Sequence, residues 1–194
     1  MELITLKDNE EFLRQTSQKI VNVDDQLRAQ VEEIGKYCRE NPVFAMAAVQ
    51  LGLPKRVIYI KNSTKKASNC FNPEYDEKKI MLNPEIIEAY GETCYWESCQ
   101  SCAEYTGFVR RPYRMKVKYQ DLDLNEHVEE YEGFICTIFC HEIDHLDGIV
   151  HMDRAEKVLE LSNEERRDLG RKEPYKIISQ EGKFTYGPIK KFKR

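Results

Sequence analysis

One short stretch, FCHEIDHLDGIVH (139–151), constrains the fold of this chain more than any other feature. Apolar residues at helical spacing lead into it, and Gly148 ends the pattern. Side chains four residues apart project from one face of a helix, so His141 and His145 can share one cation. Glu142 lies beside them, where its carboxylate can move protons at a bound water. The stretch therefore predicts a metal-binding helix; the alternative is an ordinary helix with two histidines on one face.

A catalytic metal site needs three protein ligands and one open position, and the sequence offers two sources for the third ligand. His151 completes the spacing H-E-x-x-H-x-x-G-x-x-H of the metzincin peptidases. Metzincins place a methionine turn well downstream, however, and the only methionine after this motif is the adjacent Met152. The other source is a thiolate from CYWESCQSC, which contains Cys94, Cys99 and Cys102. On residue types alone, both sources stay open.

The C-x-x-C pair in that segment has other interpretations. Cys99 and Cys102 could serve redox chemistry or form half of a structural zinc site. No second C-x-x-C is present to complete a four-cysteine site. A thioredoxin-like pair should open a helix, whereas this segment has the pattern of an extended strand.

Composition limits the classes of protein to be considered. The chain has 194 residues, is 41% hydrophobic and carries a net charge of −4, which suits one domain and gives no basic stripe for specific nucleic-acid binding. No apolar run is long enough for a membrane span, and no leader is visible. Seven cysteines without an export signal favour a reducing compartment, so we expect the cytoplasm, or an organelle in a eukaryote. The basic tail at 190–194 is expected to be solvated.

The pattern along the chain predicts an α+β fold forming a single domain over residues 1–194. Asn83-Pro84 should interrupt the second strand, and the polar segment at 61–79 is expected to be a loop insertion. The elements predicted from periodicity, turn residues and caps are helices at about 25–39, 132–145 and 162–172, strands at 56–60 and 79–90, and a hairpin at 114–133.

Three motifs, taken together, resemble the peptide deformylases over nearly the whole length of the chain. VFAMAAVQ (43–50) stands where that family usually has G-x-G-x-A-A-x-Q, and ESCQS (97–101) where it has E-G-C-L-S. CHEIDH (140–145) matches Q-H-E-x-D-H, and MLNPEI and FVRRP between the motifs are also similar. The resemblance implies a peptide-deformylase-like fold, with mixed or antiparallel sheets around a central helix that carries H-E-x-x-H.

The resemblance also implies the ligand set. It places the third ligand at Cys99, so that Cys99, His141 and His145 hold the ion with water in the fourth position. His151 falls where the family usually has an apolar residue, which makes its metzincin spacing a coincidence.

The same resemblance implies how the reaction proceeds. Glu142 takes the proton of the metal-bound water that attacks the formyl carbon and returns it to the leaving amine. The side-chain amide of Gln50 and the backbone N–H of Gln100 stabilise the oxyanion. Glu97 and Arg111 match a paired carboxylate and arginine that brace the cysteine loop; the alternative is two independent surface charges. The residues expected to line the substrate pocket are Val43, Ala45, Phe134 and Ile138.

The implied activity is removal of the formyl group from the initiator methionine of nascent polypeptides, at the ribosome. One divalent ion per chain is implied, with Fe(II) expected and Zn, Ni or Co possible. Val43 and Ala45 replace both glycines of the first motif, which could strain the backbone and should narrow the methionine pocket. Ser98, Gln100 and Cys140 also depart from the motifs. A second hypothesis is therefore a deformylase-like protein that binds metal but has reduced or lost turnover.

Overall fold

The fold is organised around one long strand, β3 (Lys78–Ser98), which pairs with four other strands of a single antiparallel sheet. The computed structural model describes residues 1–41, 43–61 and 78–193, so the predicted loop at 61–79 lies almost wholly outside the described residues. Along the main path the sheet runs β1-β2-β3-β4-β7, with β5 and β8 also on β3 and β6 on β5. The other strands are β1 (Ala45–Ala47), β2 (Val57–Lys61), β4 (Tyr105–Arg111), β5 (Arg114–Gln120), β6 (Glu126–Glu132), β7 (Lys157–Glu160) and β8 (Lys176–Lys183).

The predicted interruption of β3 is a local irregularity, and the strand continues beyond it. Asn83 has a φ of 51°, and the register against β5 shifts between Leu82 and Glu85. Asn83 can occupy this left-handed conformation because its side chain bonds both the backbone N–H and the carbonyl of Ile20. The strand then runs on to Ser98 and delivers the following cysteine to the centre of the molecule.

The helices lie on and around this sheet. α2 (Asp25–Glu40) and α5 (Asn163–Lys172) confirm two predicted helices, and α5 begins with a capping box between Ser162 and Glu165. Two further helices that the sequence pattern did not predict are α1 (Leu6–Leu13) and α4 (His151–Arg154).

The motif-bearing helix α3 (Phe134–Leu146) packs against the sheet through the main hydrophobic core. Ile135, Phe139 and Leu146 belong to the main hydrophobic core, together with Met81 of β3. The helix ends before Gly148, as predicted, and Gly148 has a φ of 73°. A Cβ at Gly148 would lie 2.2 Å from the carbonyl oxygen of Arg14, so this turn accepts only glycine. The α+β fold with antiparallel strands around this helix confirms the predicted fold class.

The C-terminal segment returns to the body of the protein instead of being fully solvated. The backbone N–H of Phe192 donates to Asp153 over 2.7 Å, and the ring of Phe192 packs edge-on against Tyr105. The expectation of a solvated basic tail is therefore wrong at Phe192, because an aromatic ring and a buried carboxylate hold the chain there.

Two general expectations can be compared with the described part of the chain. Its six cysteines are all free thiols. Among the described residues, no helix combines the length and the apolar character needed to cross a membrane.

Candidate metal centre

Three metal-ligating side chains meet at the centre of the molecule. The Sγ of Cys99 lies 3.3 Å from Nε2 of His145, and that nitrogen lies 3.2 Å from Nε2 of His141. The three donor atoms all fall within 4.8 Å of one another, and all three residues are buried apart from the edge of His141. This is the one group of potential ligands found in the described residues.

Two elements bring these donors together. His141 and His145 project from one face of α3, one turn apart. Cys99 follows the last residue of β3 and precedes a short 3-10 helix, Gln100–Cys102. Pairing of β3 with β4 continues as far as Ser98, so the sheet fixes the position of the cysteine directly after it.

A buried ion-pair network orients His141. Its Nδ1 donates to Glu97 over 2.9 Å, which directs Nε2 toward Cys99 and His145. Arg111 donates to both oxygens of Glu97, over 2.7 and 2.9 Å, and donates to Asp144 over 2.6 Å. Arg154 completes the network by donating to both oxygens of Asp144. The predicted pair of Glu97 and Arg111 therefore exists, and the alternative of two independent surface charges is wrong.

The electrostatics of this network keep Glu97 ionised. Burial alone would raise the pKa of Glu97, but the adjacent Arg111 and His141 lower that pKa well below its usual range. Burial would lower the pKa of Arg111, but Glu97 and Asp144 raise it well above its usual value. Because removal of one partner would strand the other charge in the interior, the network is costly to break.

The donor set fits a divalent transition metal. A thiolate and two imidazole nitrogens are ligands that suit zinc and iron, and a fourth position would stay open to the cleft. The Glu97–His141 bond is the kind of carboxylate contact that fixes the tautomer of a ligating histidine. A hydrogen bond with Cys102 and burial raise the pKa of the Cys99 thiol to about 11, so an ion would have to displace its proton.

The other candidates for a third ligand lie elsewhere. His151 is buried and stacks on the ring of His141, with centroids 5.6 Å apart, so its nitrogens do not join the group. Cys102 neighbours Cys99 without belonging to the donor set, and Cys136 and Cys140 pack in the main core. All three cysteines therefore lie outside the donor group.

Glu142 lies in the cleft beside the donor group. Its side chain is buried, and Oε2 has no hydrogen-bond partner among the described residues. Burial raises the pKa of Glu142 to about 7. A buried carboxyl with a free oxygen and a pKa near neutrality can both accept and return a proton.

The two predicted oxyanion donors also lie at the cleft. Gln50 is buried, its Oε1 accepts from the backbone N–H of Ala47, and its Nε2 lies 3.3 Å from the Sγ of Cys99. That amide nitrogen also donates to Ser101 over 3.1 Å. Gln100 begins the 3-10 helix, and its side chain accepts a long hydrogen bond from Tyr37.

The four predicted pocket residues all line this cleft, which has a volume of about 400 Å³: Val43, Ala45, Phe134 and Ile138. The glycine replacements cause no backbone strain, because neither Val43 nor Ala45 has a positive φ. The conditional expectation of strain is therefore wrong, and what remains is the volume that their side chains add to the wall.

Several contributors were not predicted. Ser101 holds the amide of Gln50, while Asp144, Arg154 and Tyr186 surround Arg111. Asp144 lies inside the H-E-x-x-H motif, and a charged residue on a buried helix was the one available signal. Nothing in the pattern indicates which arginines would meet it, because they come from distant positions.

A helix that carries two histidines and a glutamate, completed by a cysteine from a strand end in an α+β fold, is the arrangement of a metal-dependent hydrolase. The sequence model of the polypeptide deformylase family matches residues 2–160. A peptide deformylase of Finegoldia magna is 34% identical over 159 residues, covering 81% of this chain and 90% of the relative. One of Phenylobacterium zucineum is 33% identical over 147 residues, covering 75% and 83%.

Solved structures agree with this. The peptide deformylase of Thermotoga maritima superposes with a TM-score of 0.69 at 27% identity, covering 80% of this chain and 97% of that one. The Ehrlichia chaffeensis enzyme gives 0.67 at 26% identity, covering 89% and 93%. The chain belongs to the polypeptide deformylase family, metal-dependent hydrolases that act on formylated nascent peptides. The alternative assignment to the metzincins is wrong.

Proposed function

We propose that this protein removes the formyl group from the initiator methionine of nascent polypeptides, with Cys99, His141 and His145 holding one divalent ion. The observation that carries this proposal is the convergence of the three donor atoms beside the buried carboxyl of Glu142, at the floor of one cleft. A binding protein without turnover would have no use for a buried carboxyl with a free oxygen at that place.

The bound ion supplies two effects, a lower pKa for water and a polarised formyl carbonyl. The protein's part is to move the proton. Glu142 accepts it from the attacking water at Oε2 and donates it to the nitrogen of the leaving amine, which leaves as the free N-terminus. Formate is the other product.

Two donors near Cys99 stabilise the charge that develops on the formyl oxygen. We assign them as the side-chain amide of Gln50 and the backbone N–H of Gln100. Ala47 and Ser101 hold the Gln50 amide in place before substrate arrives, which supports this role. The substitution at position 100 leaves a backbone donor intact, because every residue except proline provides one.

Glu97 and Arg111 act through His141. The carboxylate fixes the orientation of the imidazole, and the guanidinium fixes the carboxylate. Val43, Ala45, Phe134 and Ile138 would contact the methionine side chain.

The finer assignments follow from the same proposal. We expect Fe(II) as the native ion, with Zn, Ni or Co able to occupy the site, because a thiolate and two imidazoles do not select strongly among them. We expect action at the ribosome in the cytoplasm, or in an organelle, by one domain spanning residues 1–194. No specific nucleic-acid binding is part of the proposal.

The proposal is tested by formate release from formyl-Met-Ala-Ser, with anaerobically purified protein and Fe(II). Glu142→Ala should lower kcat/KM by at least about 100-fold, the usual contribution of general acid–base catalysis. Cys99→Ser should abolish both activity and tight metal binding. Cys94→Ser is the matched control, because Cys94 is a buried thiol of β3 outside the donor group.

Three other results would contradict the proposal. Tight metal binding without formate would support the binding protein that has lost turnover. Cleavage of internal peptide bonds would indicate a peptidase. Full activity in Cys99→Ser would exclude the proposed ligand set.

A further inference from the structure

A second groove continues from the mouth of the cleft along α5, beyond the residues that match the family model. Its α5 wall consists of positions spaced three, four, seven and eight residues after the first, which is one face of a helix. The residues of that wall are Asn163, Arg166, Arg167, Gly170 and Arg171. Gly170 leaves the groove open, since nothing lies within 4 Å of the position that its Cβ would take.

The arginines of α5 line the groove, whereas its acidic residues do not. The acidic side chains are outside the groove, where Glu165 caps the helix through Ser162 and Asp168 pairs with Arg171. Arg166 donates to the amide oxygen of Asn163, and no carboxylate within the described ranges lies within ion-pair distance of Arg166 or Arg167. Two of the three arginines of the groove wall, Arg166 and Arg167, therefore carry positive charge without an ion-pair partner among the described residues, although the chain as a whole has a net charge of −4.

The groove and the cleft are continuous. Four residues line both: Tyr95, Ser98, Asn163 and Arg166. The far end of α5 is fixed to the cleft wall as well, because Nε1 of Trp96 donates to Glu173 over 2.9 Å. A peptide whose N-terminus lies at Cys99 and Glu142 can therefore continue from the cleft into this groove.

We infer that the arginine face of α5 binds acidic side chains of the substrate peptide, a few residues after its formylated methionine. The inference rests on the proposed function, since it takes the occupant of the groove to be the continuation of the substrate. Continuity with the cleft and the uncompensated charge of Arg166 and Arg167 favour this occupant over a separate partner. Exposed ion pairs are individually weak and screened by salt, so the effect is a preference, strongest at low ionic strength.

The test compares kcat/KM for three amidated peptides, formyl-Met-Ala-Asp-Asp, formyl-Met-Ala-Asn-Asn and formyl-Met-Ala-Lys-Lys. The wild-type protein should favour the Asp peptide over the Asn peptide by about three- to tenfold, the range expected for one or two exposed ion pairs. In Arg166→Gln/Arg167→Gln the ratio should approach one, and in Arg167→Glu the Lys peptide should gain. Arg28→Gln is the matched control, because Arg28 is a half-exposed arginine that bonds the β5–β6 turn.

Deformylation of the Asn peptide tests the proposed function by itself, because this peptide has no acidic side chains for the arginine face of α5 to bind. Equal rates on the three peptides, or a preference that persists in the double variant, would overturn the inference and leave the deformylase activity standing. If no peptide were deformylated, binding of fluorescent Met-Ala-Asp-Asp and Met-Ala-Asn-Asn would decide: arginine-dependent discrimination supports the inference and its absence overturns it. Arginine-dependent binding of a ten-nucleotide RNA, without discrimination between the peptides, would also overturn it and assign the face to nucleic acid.

Discussion

Val43 and Ala45 are the residues at which this chain departs most clearly from its family's motif. Both are almost fully buried and both line the cleft, so their side chains occupy space that glycines would leave open. Neither is held in a left-handed conformation, and glycine is therefore sterically unnecessary at both positions. We therefore expect Val43 and Ala45 to reduce the space available for the substrate in the cleft, without straining the backbone.

The double substitution Val43→Gly/Ala45→Gly tests this. Removing the side chains should raise kcat/KM for formyl-methionyl peptides by about tenfold, since a methylene in a pocket changes discrimination by 10-fold or more. The free energy of unfolding should fall by about 3–5 kcal/mol, because each glycine adds freedom to the unfolded chain and the buried side chain of Val43 is lost. Ala48→Gly is the control: it is buried in the same segment but does not line the cleft, so it should cost stability alone. An unchanged kcat/KM in the double variant would show that the side chains of Val43 and Ala45 do not narrow the methionine pocket.

His151 shows what residue spacing can and cannot determine. Its distance along the chain from His145 fits a known metal motif, yet the ring lies flat against His141. Burial lowers the pKa of His151 to about 3, so the ring is neutral. The turn at Gly148 decides this placement, because it sends the chain past Arg14 before α4 begins.

At the scale of elements, the long amphipathic patterns were predictable. α2, the β5–β6 hairpin and the capped helix α5 all lie where periodicity and turn residues placed them. The short α1 and α4 and the exposed β8 were not predictable. The helices α1 and α4 span only eight and four residues, too few for a helical period to be recognised in the sequence. The strand β8 is exposed throughout and is held by pairing with β3, a contact that leaves no local pattern.

The β5–β6 hairpin carries a partly buried charge, on Glu129, whose effect on stability depends on pH. Glu129 accepts hydrogen bonds from Lys79, Tyr119 and Tyr131. Burial alone would raise the pKa of Glu129, but these three partners lower it from 4.5 to about 2. The ionised carboxylate therefore stabilises the fold above a pH of about 4.5, and that contribution is lost as the pH falls toward 2.

Glu129→Gln should consequently lower the free energy of unfolding by about 2 kcal/mol at pH 7, given that one pKa unit corresponds to about 1.4 kcal/mol and the site is partly solvated. Urea unfolding at several pH values measures this loss of stability. The difference in the free energy of unfolding between wild type and variant should shrink below pH 4.5. Glu130→Gln is the control on the same strand, with a largely exposed side chain. A difference that stays constant down to pH 2 would show that the carboxylate's charge does not matter.

At the scale of the whole molecule, the proposed ion links Cys99, directly after β3, to His141 and His145 of α3, which lie more than forty residues further along the chain. A ligand that binds only the folded state stabilises it, by about 4 kcal/mol at a thousandfold excess over its Kd. Zn(II) or Ni(II) added to chelator-treated protein should therefore raise Tm by roughly 10 °C for a chain of this size. Cys99→Ser should remove most of this rise and Cys102→Ser should keep it. An equally large rise in Tm for Cys99→Ser would show that the ion binds at a site that does not include Cys99.

The sequence by itself determined the ligand types, their helical spacing and, through three motifs, the family. These are local properties: two histidines one turn apart share a face wherever the helix lies, and the motifs can be read without knowing what surrounds them. Only the tertiary structure decided that Arg111 and Arg154 both bind Asp144, and that arginines of α5 line the cleft mouth. A buried charge needs a partner, but any of the chain's many cations could satisfy that need, and the folded backbone alone selects which one is near.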